Sequence, residues 1–184
     1  MEKQRMNKKS LVALGLLVAG YSMSASAVSD NTISFQGEVS DQTCEVTVNS
    51  DSAPVVLMPT AAASALTTAG SVAGKTSFDI ALSGCTAATT ATTINTVFSG
   101  NLVDTANQGT LTNTGTATNV NLQLLDTDGS AIDLSSTWTS TKGELSLAET
   151  DTASSATFFV QYYATDAATA GTVAGSVEYA VSYL

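Results

Sequence analysis

The stretch VEYAVSYL, Val177 to Leu184, decides how this chain is read. Val177, Tyr179, Val181 and Tyr183 alternate with Glu178, Ala180 and Ser182, the period of a half-buried β-strand. A terminal segment frays unless something ties it down. Here the final carboxylate sits directly on an aromatic-rich strand, with no polar tail after it.

At the opposite end, MEKQRMNKKS carries Lys3, Arg5, Lys8 and Lys9, and the apolar run LVALGLLVAG follows. The small residues ASA at 25–27 come next. A basic segment, an apolar core too short to span a bilayer and a small-x-small site form a secretory signal peptide, assigned to residues 1–27. The mature chain is then expected from Val28 to Leu184, exported and with no direct membrane anchor.

Export changes the charge balance. Of the six basic residues only Lys75 and Lys142 remain, against fifteen of the sixteen acids, a formal charge of −13. There is no histidine in the chain and no arginine after the signal. Nothing is available to neutralise phosphates, which excludes nucleic acid as a partner and disfavours anionic membrane surfaces. One domain suits the length.

Cys44 and Cys85 are the two cysteines. In an oxidising compartment they are expected to form a disulfide closing a loop of about forty residues. Zinc would lack ligands with two sulfurs and no imidazole.

The segments between carry strand periodicity and turn residues. TISFQGEV places Ile33, Phe35, Gly37 and Val39 on one face, and TCEVTVN places Cys44, Val46 and Val48 likewise. TSFDIALSGC aligns Phe78, Ile80 and Leu82. Further strands are expected in PVVLMP, TINTVFSG, NVNLQLLD, SAIDLSS and ATFFVQYYAT, with turns at Ser99–Asn101 and Thr127–Ser130. AAASALTTAG reads as a loop, and TNTGTAT as an exposed one. Short strands divided by such turns argue for an antiparallel sandwich.

Candidate chemistry is sparse. Serine and threonine are plentiful, but no histidine activates them. Asp126 and Asp128 in LLDTDGS suggest a carboxylate pair or half a Ca²⁺ loop, yet the acid needed at loop position twelve falls on Thr137. A solvated turn is the reading preferred. Trp138 is assigned to the core, and alternation assigns one of Tyr162 and Tyr163 to the core and the other to the surface. No cofactor or catalytic residue is assigned.

Taken together, the arm ISFQGEV, the DQTCEV after it, VLMPT, Gly84-Cys85 and the C-terminal stretch resemble the pilins of chaperone–usher fimbriae, most closely the type 1-like major shaft subunits. In that family a glycine lies fourteenth from the end and an aromatic second from it, here Gly171 and Tyr183. The resemblance covers the whole mature chain, although Leu184 stands where a polar residue is usual. It implies an incomplete immunoglobulin-like β-sandwich, residues 41–184, that stops one strand early and is completed by a donor strand from a neighbouring copy. Residues 28–40 are the donor arm, with Ile33, Phe35, Gly37 and Val39 facing into the neighbour. Thr172 to Leu184 form the strand beside the groove, with Val177, Tyr179, Val181 and Tyr183 on its inner face. A periplasmic chaperone holding the Leu184 carboxylate, an outer-membrane usher and identical subunits are the implied partners. A minor adaptor or tip adhesin of the same organelle is the alternative role.

Overall fold

Among residues 44–87 and 89–183, which the computed structural model describes, the chain is all-β. The arm residues Ile33, Phe35, Gly37 and Val39, and Leu184, lie outside that set. The strands are β1 (Glu45–Val48), β2 (Val72–Ser83), β3 (Thr92–Gly100), β4 (Val103–Asp104) and β5 (Thr110–Leu111). They continue as β6 (Val120–Leu125), β7 (Trp138–Thr139), β8 (Leu145–Leu147), β9 (Ser154–Ala164) and β10 (Val177–Tyr183). All pairings are antiparallel. One sheet runs β1-β2-β9-β6-β5-β4; the other runs β10-β3-β7, with β8 also on β3.

Period-two alternation sets which faces meet. Phe78, Ile80 and Leu82 of β2, Leu122 and Leu124 of β6, and Ala156, Phe158 and Val160 of β9 face inward from the first sheet. Ile94 and Phe98 of β3, with Leu145 and Leu147 of β8, close on them from the second. Trp138 stacks on Phe98 at 5.8 Å, and Phe158 meets Phe98 edge-on at 5.2 Å. Offset and edge-on rings are the favoured arrangements of aromatic quadrupoles. Trp138 thus packs against the core as expected.

Cys44 and Cys85 are disulfide-bonded, with Cα atoms 4.2 Å apart. The register explains it: Glu45 lies opposite Ser83, so the residues flanking that pair approach each other at the end of the β1–β2 ladder.

Several segments depart from the sequence expectation. SAIDLSS buries Ile132 and Leu134 as alternation requires, but it joins β6 only through the Leu125–Ala131 bridge and the bond from Ile132 N to Leu124 O. One 3₁₀ turn, Ala63–Ala65, interrupts AAASALTTAG. TNTGTAT is a loop with its threonines exposed, as expected, but it is tied down at Ala117, which is buried and whose amide donates to Thr172 O. The turn at Asp126–Ser130 is not simply solvated either. Asp126 is only 5% exposed, and Lys142 Nζ pairs with the carboxylates of both Asp126 and Asp128. Tyr163 is buried on the face of β9 opposite the core, whereas Tyr162, on the core face, is half-buried.

Candidate functional site: an apolar groove between two walls

PVVLMP is extended but belongs to neither sheet. Its residues still alternate: Val56 and Met58 pack on the core, while Val55 and Leu57 are 76% and 83% exposed. Pro54 and Pro59 lack an amide hydrogen, so they cannot donate to a ladder at either end of the run. This segment forms one wall of an open groove of about 530 Å³. Core side chains, among them Phe78, Phe98, Leu122, Leu124 and Val160, make its floor.

The facing wall is the C-terminal segment. Val173, Gly175, Val177 and Tyr179 line the groove, and Val181 and Tyr183 continue the same face against the core. The alternation read from the sequence therefore holds on this wall. Regular strand, however, begins at Val177 rather than Thr172. Before that point, side chains replace part of the backbone ladder: Ala174 N donates to Asn113 Oδ1, and Thr116 N donates to Thr172 Oγ1. From Val177 the backbone pairs with β3 in unbroken register, Tyr179 opposite Phe98. Among the described residues no strand pairs with β10 on its other side, and none pairs with 54–59.

Gly171 lies at the head of this wall for a steric reason. A Cβ there would fall 2.4 Å from Ala117 N and 2.7 Å from Ala117 Cα. Gly115 across the contact is similarly constrained, since a Cβ on it would overlap Thr172 O. The two glycines let 112–118 and 169–174 approach backbone to backbone.

Past Met58, Tyr162 and Val173, which line both spaces, the groove continues into a second depression of about 370 Å³. Its rim includes Leu66, Ala117, Ala168 and Gly171. The groove is walled mainly by aliphatic and aromatic carbon, whereas the second depression is about evenly polar and apolar, with Thr60, Thr169 and Thr172 among its lining; no titratable group of the described residues other than tyrosine lines either. Such a surface suits alternate apolar side chains of an extended peptide, with backbone hydrogen bonds offered by the strand beside it. Among the described residues no cluster of acidic or cysteine side chains could hold a metal ion.

Electrostatics are concentrated away from the groove. Hydrogen bonds from Lys142 and from the Ser130 amide hold the Asp128 carboxyl well below the usual carboxylate range, and both aspartates push Lys142 up. Lys75 sits over the Phe159 ring, 4.0 Å from its centroid. Lys75 and Lys142, the two lysines of the described residues, are thus both engaged, a feature that sequence spacing did not reveal.

Comparison with known proteins agrees with this geometry. A model described as fimbrial protein matches residues 33–184. The chain is 41% identical over 175 residues to a fimbrial protein of Escherichia coli, covering 92% of this chain and 96% of that one. It is 36% identical over 165 residues to a major fimbrial subunit of Stenotrophomonas maltophilia, covering 86% and 95%. Among solved structures, the P pilus rod subunit PapA superposes with a TM-score of 0.58 at 15% identity, over 77% of this chain and 99% of that one. At that identity the likeness is one of fold.

Proposed function

This chain belongs to the fimbrial protein family and is a fimbrial subunit of the chaperone–usher type, and from that premise we propose that it builds the shaft of a surface fimbria by donor-strand exchange. Residues 28–40 of one copy leave their own domain and occupy the groove of the next. The observation that supports this reading is the groove itself: two walls between which no strand of the described residues pairs, over a floor of core side chains.

The arm has complementary chemistry. Ile33, Phe35 and Val39 would face the floor, while Ser34, Gln36 and Glu38 face water. Burying the three large side chains contributes roughly 5–8 kcal/mol, offset by the entropy of ordering the arm. Hydrogen bonds along β10 add about 1 kcal/mol net each. The resulting contact is heterologous and does not close on itself, so repetition gives a filament. Breaking the joint requires opening the receiving core, which makes it kinetically durable.

Before assembly a periplasmic chaperone fills the groove, holding Tyr183 and the Leu184 carboxylate, and an outer-membrane usher exchanges it for the incoming arm. The chain's role is structural. A shaft position is favoured by its likeness to a major subunit over most of both lengths. Electron microscopy of cells with this gene deleted tests it. A shaft subunit leaves cells bare, whereas an adaptor or tip subunit leaves filaments in place without full adhesion.

A further inference from the structure

The two walls are held in different ways. β10 is laced to β3 along seven residues, whereas 54–59 has no ladder. The near end of that segment follows β1 through bonds at Asp51, whose carbonyl accepts from Val48 N and whose carboxylate accepts from Ala53 N. Within 54–59 itself, the one hydrogen bond among the described residues is from Tyr162 Oη to Pro59 O, at 3.1 Å.

The sequence makes unusual room for that bond. β2 carries a register shift between Ala73 and Thr76, and Gly74 within it has φ +63°. Thr76 Oγ1 donates to Gly74 O and fixes the bulge. A Cβ on Gly74 would lie 2.8 Å from Cδ2 and Cε2 of Tyr162, so the ring lies flush against the glycine. A bulge re-aims the chain locally, and this one opens the space the tyrosine occupies. Tyr162 also lines both parts of the groove, as Met58 and Val173 do.

We infer that Tyr162 is a positioning residue for strand acceptance: seated in the Gly74 bulge, it pins Pro59 and keeps the 54–59 wall standing off the groove floor. The wall needs such a stay because Val56 and Met58 face the same apolar floor as an incoming strand would. Without the tether, burial of those side chains draws the wall inward and narrows the space. Once a strand has filled the groove, its own contacts hold the wall, and the tyrosine hydroxyl no longer matters. The inference rests on the donor-strand reading, and its test separates the two.

The mature full chain, wild type, Tyr162→Phe and Gly74→Ala, is mixed with a labelled peptide of residues 31–41, and uptake into a detergent-resistant complex is followed with time. Wild type takes up the peptide; if it does not, the donor-strand reading itself fails. Given wild-type uptake, Tyr162→Phe is expected to slow it roughly five-fold, the factor associated with one net hydrogen bond. Gly74→Ala, which displaces the ring instead of deleting the hydroxyl, is expected to slow it at least as much. The thermal midpoint of the filled Tyr162→Phe complex is expected to match wild type. Unchanged uptake by Tyr162→Phe overturns the inference. So does slowed uptake accompanied by an equal loss of stability in the filled complex, which would make the tyrosine merely structural.

Discussion

Replacing Gly171 by alanine adds one methyl where the structure leaves no room. The new Cβ would sit 2.4 Å from Ala117 N and 2.7 Å from both Ala117 Cα and Thr116 C, all backbone atoms that cannot rotate away. The segment 169–174 must therefore move off 114–118. Overfilling of this kind costs about 1–3 kcal/mol. The movement also stretches the bonds from Ala117 N to Thr172 O, Thr116 N to Thr172 Oγ1 and Thr118 N to Thr169 Oγ1, now 3.0, 3.0 and 2.9 Å. Each is worth about 1 kcal/mol at most, less where water can replace it. A total near 3 kcal/mol follows. Gly175→Ala is the control, because its Cβ would meet the flexible Leu122 Cδ1 at 3.1 Å and should cost less than about 1 kcal/mol. Urea unfolding followed by fluorescence of Trp138, the single tryptophan, reads both variants. At a usual slope for a small domain, Gly171→Ala lowers the midpoint by roughly 1–3 M and Gly175→Ala far less. Equal midpoints for Gly171→Ala and wild type, or a larger loss at Gly175, would refute the steric argument.

Replacing Cys44 and Cys85 by alanine should cost about 4 kcal/mol, the loop entropy released by a bond spanning 41 residues, seen as a lower urea midpoint. The untreated chain should gain two daltons on reduction. Lys142→Met should destabilise the chain at neutral pH, because Asp126 loses its cation in a nearly buried position. Asp128 is held below its usual range in the folded chain, so its share of the difference is present above about pH 4–5 and fades as pH falls further. Lys142 is raised, so its share is complete below about pH 10 and is lost only above that. A wild-type-minus-variant difference that grows on acidification would contradict this pairing. Gly37→Leu should block polymer formation by overfilling the groove while leaving the monomer soluble, as read on unheated detergent gels.

The long alternating runs were legible because burial on one face is written directly into period two. Phe78-Ile80-Leu82, Ile94-Phe98 and Phe158-Val160 point inward as the sequence indicates. The inner face of the last strand, Val177 to Tyr183, was legible for the same reason. Pairing was harder to read. PVVLMP is a short apolar run and SAIDLSS alternates, but a strand also needs a neighbour at hydrogen-bond distance, and neither pattern carries information about that. The order of Tyr162 and Tyr163 was obscured by exposure: the inner tyrosine stays half open because it borders a groove, while its outer neighbour is covered. Gly171 could be singled out by its place in a family pattern, but its reason, contact with Ala117, joins segments more than fifty residues apart. Lys142 reaches Asp126 and Asp128 across 16 and 14 residues, and the sequence offered it many acids to choose from. The arm's residues Ile33, Phe35, Gly37 and Val39 carry a clear pattern and lie outside the described residues, so their role stands as proposed.

The most direct test of donor-strand exchange is removal of the arm. The mature chain lacking residues 28–40, expressed with the rest of its fimbrial operon, should accumulate as monomer and give no detergent-resistant ladder on unheated gels. Adding the peptide 31–41 should convert that monomer to a single resistant band of one subunit and one peptide. A ladder that persists without the arm would contradict the account and would mean that the subunits join through some other surface.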